Sequence, residues 1–398
     1  MSSKREARPP LRVALDTSYA GINPTGVGLY SARLARELRR LAGECALDIY
    51  CFGPACKRDG APNKLLGTFQ EWPSYTHGVL PAQLLALRPR VVHSTSHMGP
   101  LWGPGELIVT VHDLIFMRYP EDYQAGWLAI TKALLASVLR RARAIIADSQ
   151  ATKDDLRAFF GVRHGKIVVI YPGIDGAIDD GRPTIDDRRS TIDDRRPTTD
   201  DRPAITGGRP YVLCLGPWVR RKNLEVVVQA FAWLAERVPG VDLVITGDTP
   251  RGMKGYTRQE LLSYVSDEYR RRVKLVGYVS SEEKQALVGG ASVLCYPSRF
   301  EGFGLPPLEA MAAGVPVVAA DTPAVVEVTG GAALISDPDE PREWSAAIES
   351  VLLDPGLARR LREAGLRRSA DFTWAACARR TALLYRSVAG LTEPRRSI

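Results

Sequence analysis

No run of apolar residues in this chain is long enough to cross a bilayer as a helix, and the opening MSSKREARPPLRVAL lacks the apolar stretch of a secretory signal. A cytoplasmic protein is expected, with peripheral contact at the inner face of the membrane as the one membrane role that fits. Cysteine is sparse and unpatterned: Cys45, Cys51, Cys56, Cys214, Cys295 and Cys377 form no C-x-x-C. That spacing indicates neither zinc nor a disulfide framework, and several of the six stand in apolar runs where a small hydrophobe is wanted. With five histidines, 8% aromatic residues and no recognisable nucleic-acid module, the formal charge of +8 makes no case for DNA or RNA. An anionic membrane or a lipid-diphosphate acceptor suits the same charge.

Two nucleotide signatures are also missing. Gly21 and Gly26 have the spacing of a phosphate-binding loop, but Val27 and Gly28 occupy the positions that need Lys and Ser/Thr, and no G-x-G-x-x-G occurs. These absences exclude a P-loop nucleotidase and remove the main support for a dinucleotide-dependent dehydrogenase. No D-x-D pair is read in a strand-end loop, so no metal site is expected.

What is present is the length and composition of a two-domain globular protein: 398 residues, 45% hydrophobic and 25% charged. Short apolar runs alternate with helical periodicity along most of the chain, the pattern of doubly wound α/β sheets. Strands are expected near Leu11–Leu15, Leu47–Phe52, Val91–His93, Ala144–Asp148 and Ile167–Tyr171, then near Tyr211–Leu215, Val241–Thr246, Val273–Val276, Ala291–Tyr296, Val315–Ala319 and Ala333–Ile335. Between the two sets lies a segment unlike the rest. Asp-Asp recurs at Asp179, Asp186, Asp193 and Asp200, with intervening Arg, Pro and Thr and one isoleucine at most per unit. Such heptads cannot make a coiled-coil seam, and the stretch reads as a solvated low-complexity linker. The expected divisions are residues 1–178, a linker at 179–208, a second domain at 209–370, and a terminal helix from 371 to 398.

The most informative stretch is RFEGFGLPPLEAMAAGVPVV, Arg299 to Val318. It follows an apolar strand and leads through Gly302 and Gly304 into a helix whose first turn suits Pro306 and Pro307. A helix N-terminus attracts anions, whereas the carboxylates of Glu301 and Glu309 would repel phosphate and accept from hydroxyls. Amides for a diphosphate and carboxylates for sugar hydroxyls together suggest a nucleotide sugar. A second stretch, GPWVRRKN (Gly216 to Asn223), places cations ahead of a helix N-terminus, against the helix dipole, where an anionic ligand would explain them.

Glu301, Phe303, Gly304 and Glu309 match the paired-glutamate signature of the family 4 retaining glycosyltransferases, and the chain resembles that family over nearly its whole length outside the repeat. The resemblance implies a GT-B fold: two doubly wound Rossmann-like α/β domains with an interdomain cleft. It implies transfer of a hexose from a nucleotide diphosphate sugar to a hydroxyl of a saccharide or lipid-linked acceptor, without a metal or other cofactor. The R-K-N segment is similar to the family's diphosphate-holding motif, which assigns Lys222 and Arg221 to the leaving diphosphate. Pro217 stands where some members have a further arginine, so Arg220 competes with Arg221 for that role. Glu301 would hold the sugar's hydroxyls or its oxocarbenium-like face, Glu309 the ribose, and the amides near Gly304 and Leu305 the diphosphate, with Phe303 in the same loop. Val279, after the strand near Val273–Val276, would meet the base. In the N-terminal domain, Gly26 and Gly28 match the glycine loop that faces the donor, and His112 resembles the histidine that hydrogen-bonds the sugar or acceptor. His97 stands between a crevice role and a structural one. The last helix, after Asp371-Phe-Thr-Trp374, would return to the N-terminal domain with Trp374 and Tyr385 as anchors. GDP-mannose is favoured mildly over UDP-glucose. A non-catalytic binding relative, or an epimerase or phosphorylase of the same fold, is the alternative.

Overall fold

The computed structural model describes residues 9–18, 26–53, 75–174, 206–250 and 253–391. The repeat, Gly21 and Cys56 lie outside them. The chain divides into two units, Met1–Gly173 with Trp374–Ile398, and Ile174–Thr373. The divisions therefore fall at Gly173 and Thr373, a few residues from the expected 178 and 370. Each unit holds one six-stranded, wholly parallel sheet.

In the first unit the strands are β1 (Leu11–Asp16), β2 (Leu47–Phe52), β3 (Val91–Ser94), β4 (Glu106–Val111), β5 (Ala144–Ala147) and β6 (Ile167–Val169), ordered β2-β1-β3-β4-β5-β6. Both faces of the sheet are buried, which is why these strands read as continuous apolar runs and not as alternating ones. The alternation appears in what each side chain meets. Leu11, Val13, Leu15, Val91, Ile108, Ala144 and Ile146 belong to one apolar cluster. Ala14, Val92, Leu107, Val109, Val111, Ile145 and Ala147 belong to another. Successive side chains thus serve opposite faces, as the pleat requires.

The first cluster is closed by the helix Gly26–Leu41 and the terminal helix Trp374–Val388, whose Trp374 and Tyr385 are buried in it as expected. His93, within β3, is fully buried: Nδ1 meets the Tyr385 hydroxyl at 2.6 Å and Nε2 the Thr110 hydroxyl at 2.9 Å. Burial lowers its pKa to about 3, so the ring is neutral and ties the terminal helix to β3 and β4.

The second unit contains β7 (Tyr211–Cys214), β8 (Asp242–Thr246), β9 (Val273–Gly277), β10 (Val293–Tyr296), β11 (Val317–Ala320) and β12 (Leu334–Ser336), ordered β12-β11-β10-β7-β8-β9. The helix Leu224–Arg237 follows β7 and buries Leu224, Val227, Val228, Phe231, Leu234 and Ala235, one face at 3.6-residue spacing. The chain runs outward from β7 to β9, then returns to start again at β10. Its reversal point lies between β7 and β10, where the loops leaving adjacent strands diverge and open α/β sheets bind ligands. The loop after β7 is packed tightly against the one after β8. A Cβ on Gly247, which has φ +89°, would stand 2.0 Å from the carbonyl oxygen of Gly216. Trp218 N–H donates to the Asp248 carbonyl at 3.0 Å and its indole to that of Thr246 at 3.1 Å. These contacts fix the strand-end loop that carries Arg221 and Lys222.

Candidate active site

Arg220–Lys222 form a single tight turn ending at Asn223, whose left-handed backbone (φ 52°) an asparagine tolerates. Across the reversal point, the loop after β10 carries Glu301. Lys222 Nζ donates to Glu301 Oε1 at 2.6 Å and Arg221 to the same oxygen at 3.3 Å. The structure therefore joins the two motifs that the sequence separates by some eighty residues. Lys222 Nζ also donates to the Tyr296 hydroxyl at 3.2 Å and lies 4.9 Å from the centre of that ring. Only 9%, 12% and 18% of the Lys222, Glu301 and Arg221 side chains is exposed, so these charges act in a medium far less screening than water. Burial pushes the Glu301 pKa up, but the Lys222 and Arg221 cations outweigh it, and the carboxyl ends below its ordinary value. Glu301 is thus a carboxylate held between two cations.

The two arginines point different ways. Arg220 forms a fork-like pair with Glu260, with one N–H to Oε2 at 3.0 Å, and lies over the Tyr256 ring at 4.4 Å. Arg221 is the one beside Glu301. Substituting Arg221 with alanine is accordingly expected to weaken binding of a nucleoside diphosphate at least tenfold more than Arg220→Ala does, a difference of about 1.4 kcal/mol readable by titration calorimetry. Equal effects would contradict the assignment. Arg299 holds the two loops in place: its N–H donates to the Arg221 carbonyl at 2.8 Å, and its guanidinium reaches Asn223 Oδ1 at 3.2 Å and Asp339 at 2.6 Å.

The loop enters the helix Leu305–Ala312 through Gly304, which has φ +118° and leaves the helix end without a side-chain cap. Pro306 and Pro307 stand in the first turn as expected, but having no N–H they remove two of its donors. Leu305 and Leu308 are the first-turn residues that keep an amide. Phe303 is buried against Phe372, ring centres 5.8 Å apart, and so anchors the loop. Glu309, in the same helix, accepts from Lys284 Nζ at both oxygens, 2.8 and 3.0 Å. Lys284 comes from the helix Ser281–Gly290, started by a capping box of Ser280 and Glu283. Nothing in the sequence marks that lysine as Glu309's partner. The turn after β9 presents Val279, half-buried, and beside it Tyr278, whose flat ring is 85% exposed.

One expectation is corrected by the strand-end loops. Asp337-Pro-Asp339 directly follows β12 and has D-x-D spacing. Its carboxylates are engaged locally, Asp337 accepting from the Asp339 N–H at 2.8 Å and Asp339 pairing with Arg299. Among the described residues no three potential ligands cluster to hold a metal ion.

In the first unit the reversal point lies between β1 and β3. Asp16, buried at the end of β1, accepts from the Ser18 N–H and hydroxyl and from Ser94 Oγ. Gly26 and Gly28 lie in the first turn of the helix and not in the loop before it, because that helix starts three residues earlier than its apolar spacing suggests. Gly28 is buried; Gly26 is exposed, with open space where a Cβ would sit.

His112 stands just beyond β4. Its Nδ1 meets Asp148 Oδ2 at 2.7 Å and its Nε2 the Thr95 carbonyl at 3.0 Å. Burial opposes its charge, but the Asp148 carboxylate and the bonds to Asp148 and Thr95 raise its pKa overall. Both nitrogens are engaged by protein groups, and the expected bond from this ring to a sugar would require the Thr95 bond to be exchanged. A raised folded-state value means that the pair's stabilisation is complete below the unfolded histidine value of about 6.5 and is lost as pH rises through the folded one. Asp148→Asn should accordingly cost more stability at about pH 6 than at about pH 9, measured by denaturant unfolding; a pH-independent cost would contradict an imidazolium here.

Comparisons with known proteins agree with this geometry. A family model described as "Glycosyl transferases group 1" matches residues 195–368, and one described as "Glycosyltransferase Family 4" matches residues 24–177. The O-antigen chain mannosyltransferase B of Escherichia coli is 33% identical over 178 residues, 44% of this chain and 45% of that protein, so the match spans less than half of either. Among solved structures, sucrose-phosphate synthase from Thermosynechococcus elongatus superposes with a TM-score of 0.67 at 22% identity, over 96% of this chain and 100% of that one. Anabaena Alr3699/HepE, solved with UDP-glucose, gives 0.63 at 17% identity over 95% and 100%. The two parallel six-stranded sheets with these neighbours define a GT-B fold. The chain belongs to the family 4, group 1 glycosyltransferases.

Proposed function

We propose that this protein is a retaining hexosyltransferase that moves a sugar from a nucleotide diphosphate sugar to a hydroxyl of a saccharide or lipid-linked acceptor. The observation that carries the reading is the pair of buried cations, Lys222 and Arg221, converging on Glu301 at the reversal point of the second sheet. As the sugar–phosphate bond breaks, negative charge grows on the diphosphate, and preoriented cations there lower the barrier without reorganising. Lys222 and Arg221 supply that charge, helped by the amides at Gly304 and Leu305. Glu301 then turns its accepting oxygens to the sugar's hydroxyls and the positive charge developing on its ring. Glu309 accepts from the ribose, with Lys284 fixing the carboxylate, and Tyr278 offers its ring to the base beside the backbone of Val279. Gly26, Gly28 and His112 remain proposed donor-side groups of the first unit.

Similarity to a mannosyltransferase favours mannose, hence GDP-mannose; the neighbour solved with UDP-glucose makes that the second candidate. A role in surface polysaccharide synthesis follows from the same likeness, and the chain's charge of +8 suits an anionic membrane surface or a lipid-diphosphate acceptor. No described helix is long and apolar enough to cross a membrane. The test is incubation of the protein with labelled GDP-mannose or UDP-glucose and methyl glycoside acceptors. Release of nucleoside diphosphate with a product of unchanged anomeric configuration by NMR is expected. An inverted product would contradict retention, and no release from any donor would contradict the activity.

A further inference from the structure

The segment after β3, the strap between β4 and the helix Ala125–Arg141, and the first turn of that helix together set four rings in sequence at the carboxyl edge of the first sheet. His97, after β3, lies 6.0 Å from Phe116; Phe116 meets Trp127 edge-on at 6.1 Å and 89°; Tyr123 stacks on Trp127 at 5.1 Å and 13°. Phe116 is buried, whereas Trp127 keeps 41% of its surface exposed. An indole pinned by one stacked and one perpendicular ring presents a flat surface at little entropic cost.

The charges around it indicate what that surface meets. The strap from Asp113 to Trp127 contains Asp113, Glu121 and Asp122 against a single cation, Arg118. Arg118 is paired with Asp155 and lies over Phe159 at 5.2 Å. A strap of that composition is unfavourable to phosphate headgroups and offers acceptors to hydroxyls. His97, whose pKa burial and the His112 charge lower to about 4, adds a neutral imidazole. An exposed indole on a net acidic strap matches a neutral sugar, whose C–H face stacks on the electron-rich ring.

We propose that Trp127, supported by Tyr123 and Phe116, is a stacking platform for a neutral hexose of the acceptor. This rests on the transferase reading above and extends it to the class of acceptor. Ile130, 59% exposed one turn further along the helix, makes a membrane surface the competing occupant.

The test uses the full chain labelled with 5-fluorotryptophan, the Trp127 signal being assigned by its loss in Trp127→Phe. Methyl glycosides of mannose, glucose, galactose and N-acetylglucosamine are titrated in turn, with phosphatidylglycerol vesicles as the alternative probe. The Trp127 fluorine signal is expected to move with at least one glycoside and not with vesicles. In transfer assays, Trp127→Ala should raise the acceptor KM on the order of five- to tenfold with little change in donor KM, and Trp127→Tyr should restore most of the loss. A signal unmoved by every glycoside, or moved only by vesicles, overturns the platform, as does an acceptor KM that Trp127→Ala leaves in place. The fluorine titration needs neither donor nor turnover, so its failure is separable from failure of the transferase reading, which would show as no release of nucleoside diphosphate from the unmodified protein.

Discussion

Lys222→Ala is expected to lower sugar transfer by about 10²- to 10³-fold while leaving the second unit folded. The size follows from what the ammonium does when the leaving diphosphate gains charge. It sits at a site where only 9% of its side chain meets solvent, so its attraction to a growing negative charge is weakly screened. It is preoriented by Glu301 and the Tyr296 hydroxyl, so no reorganisation accompanies the reaction. The fold tolerates the change because Glu301 keeps Arg221 as a partner at 3.3 Å. The measurement is steady-state transfer with circular dichroism as the folding control. A loss below about threefold would sink the role given to Lys222, since one charge-stabilising donor in such a site accounts for far more.

The second large effect is on stability, and it is asymmetric. Glu301→Ala leaves two cations, Lys222 and Arg221, against one another without their shared anion. Removing one partner of a buried ion pair costs about 3 kcal/mol or more, because the remaining charge is left desolvated. For a unit of this size that is a fall of roughly 6–12 °C in the midpoint of its melting. Adding Lys222→Met to Glu301→Ala should recover part of the loss, an interaction that a double-mutant cycle isolates. If Glu301→Ala melts like the parent protein, the triad is not the buried, mutually neutralising cluster described. With its pKa held below the ordinary carboxylate value, Glu301 contributes stability that is present above the unfolded value of about 4.3 and lost as pH falls through the folded one. The Glu301→Ala penalty should therefore shrink in acid.

The strands were legible because parallel strands buried on both faces leave apolar runs, and Tyr211–Cys214 or Val293–Tyr296 could hardly be anything else. The Glu301 and Lys222 segments were legible for different reasons: Lys222 and Arg221 stand ahead of a helix N-terminus, against its dipole, and Glu301 and Glu309 flank a glycine-rich helix start in the spacing of the family signature. What stayed hidden depends on side-chain direction and on contacts between elements distant in sequence. Arg220 and Arg221 are neighbours, and only the position of Glu260 and Tyr256 shows which one turns away. Lys284 meets Glu309 because two helices pack side by side, a relation with no local signal. Phe303 looked like part of a ligand loop and is its anchor, because a ring next to Phe372 is better buried than exposed. Asp337-Pro-Asp339 stands just beyond the end of β12, where its D-x-D spacing was open to reading and was not read. Tyr123 and Trp127 fall on either side of a helix start, so their stacking cannot be read from helical periodicity alone.

The central claim, that the second unit holds a nucleoside diphosphate between Lys222, Arg221 and Glu309, is tested most directly by melting the protein with GDP, UDP and ADP. A nucleotide at about one hundred times its Kd stabilises the state that binds it by about 2.7 kcal/mol, a rise of roughly 5–10 °C for a unit of this size. One nucleotide is predicted to give that rise, and Lys222→Ala and Glu309→Ala are predicted to remove most of it. No rise with any of the three, or a rise that survives both substitutions, would contradict the account.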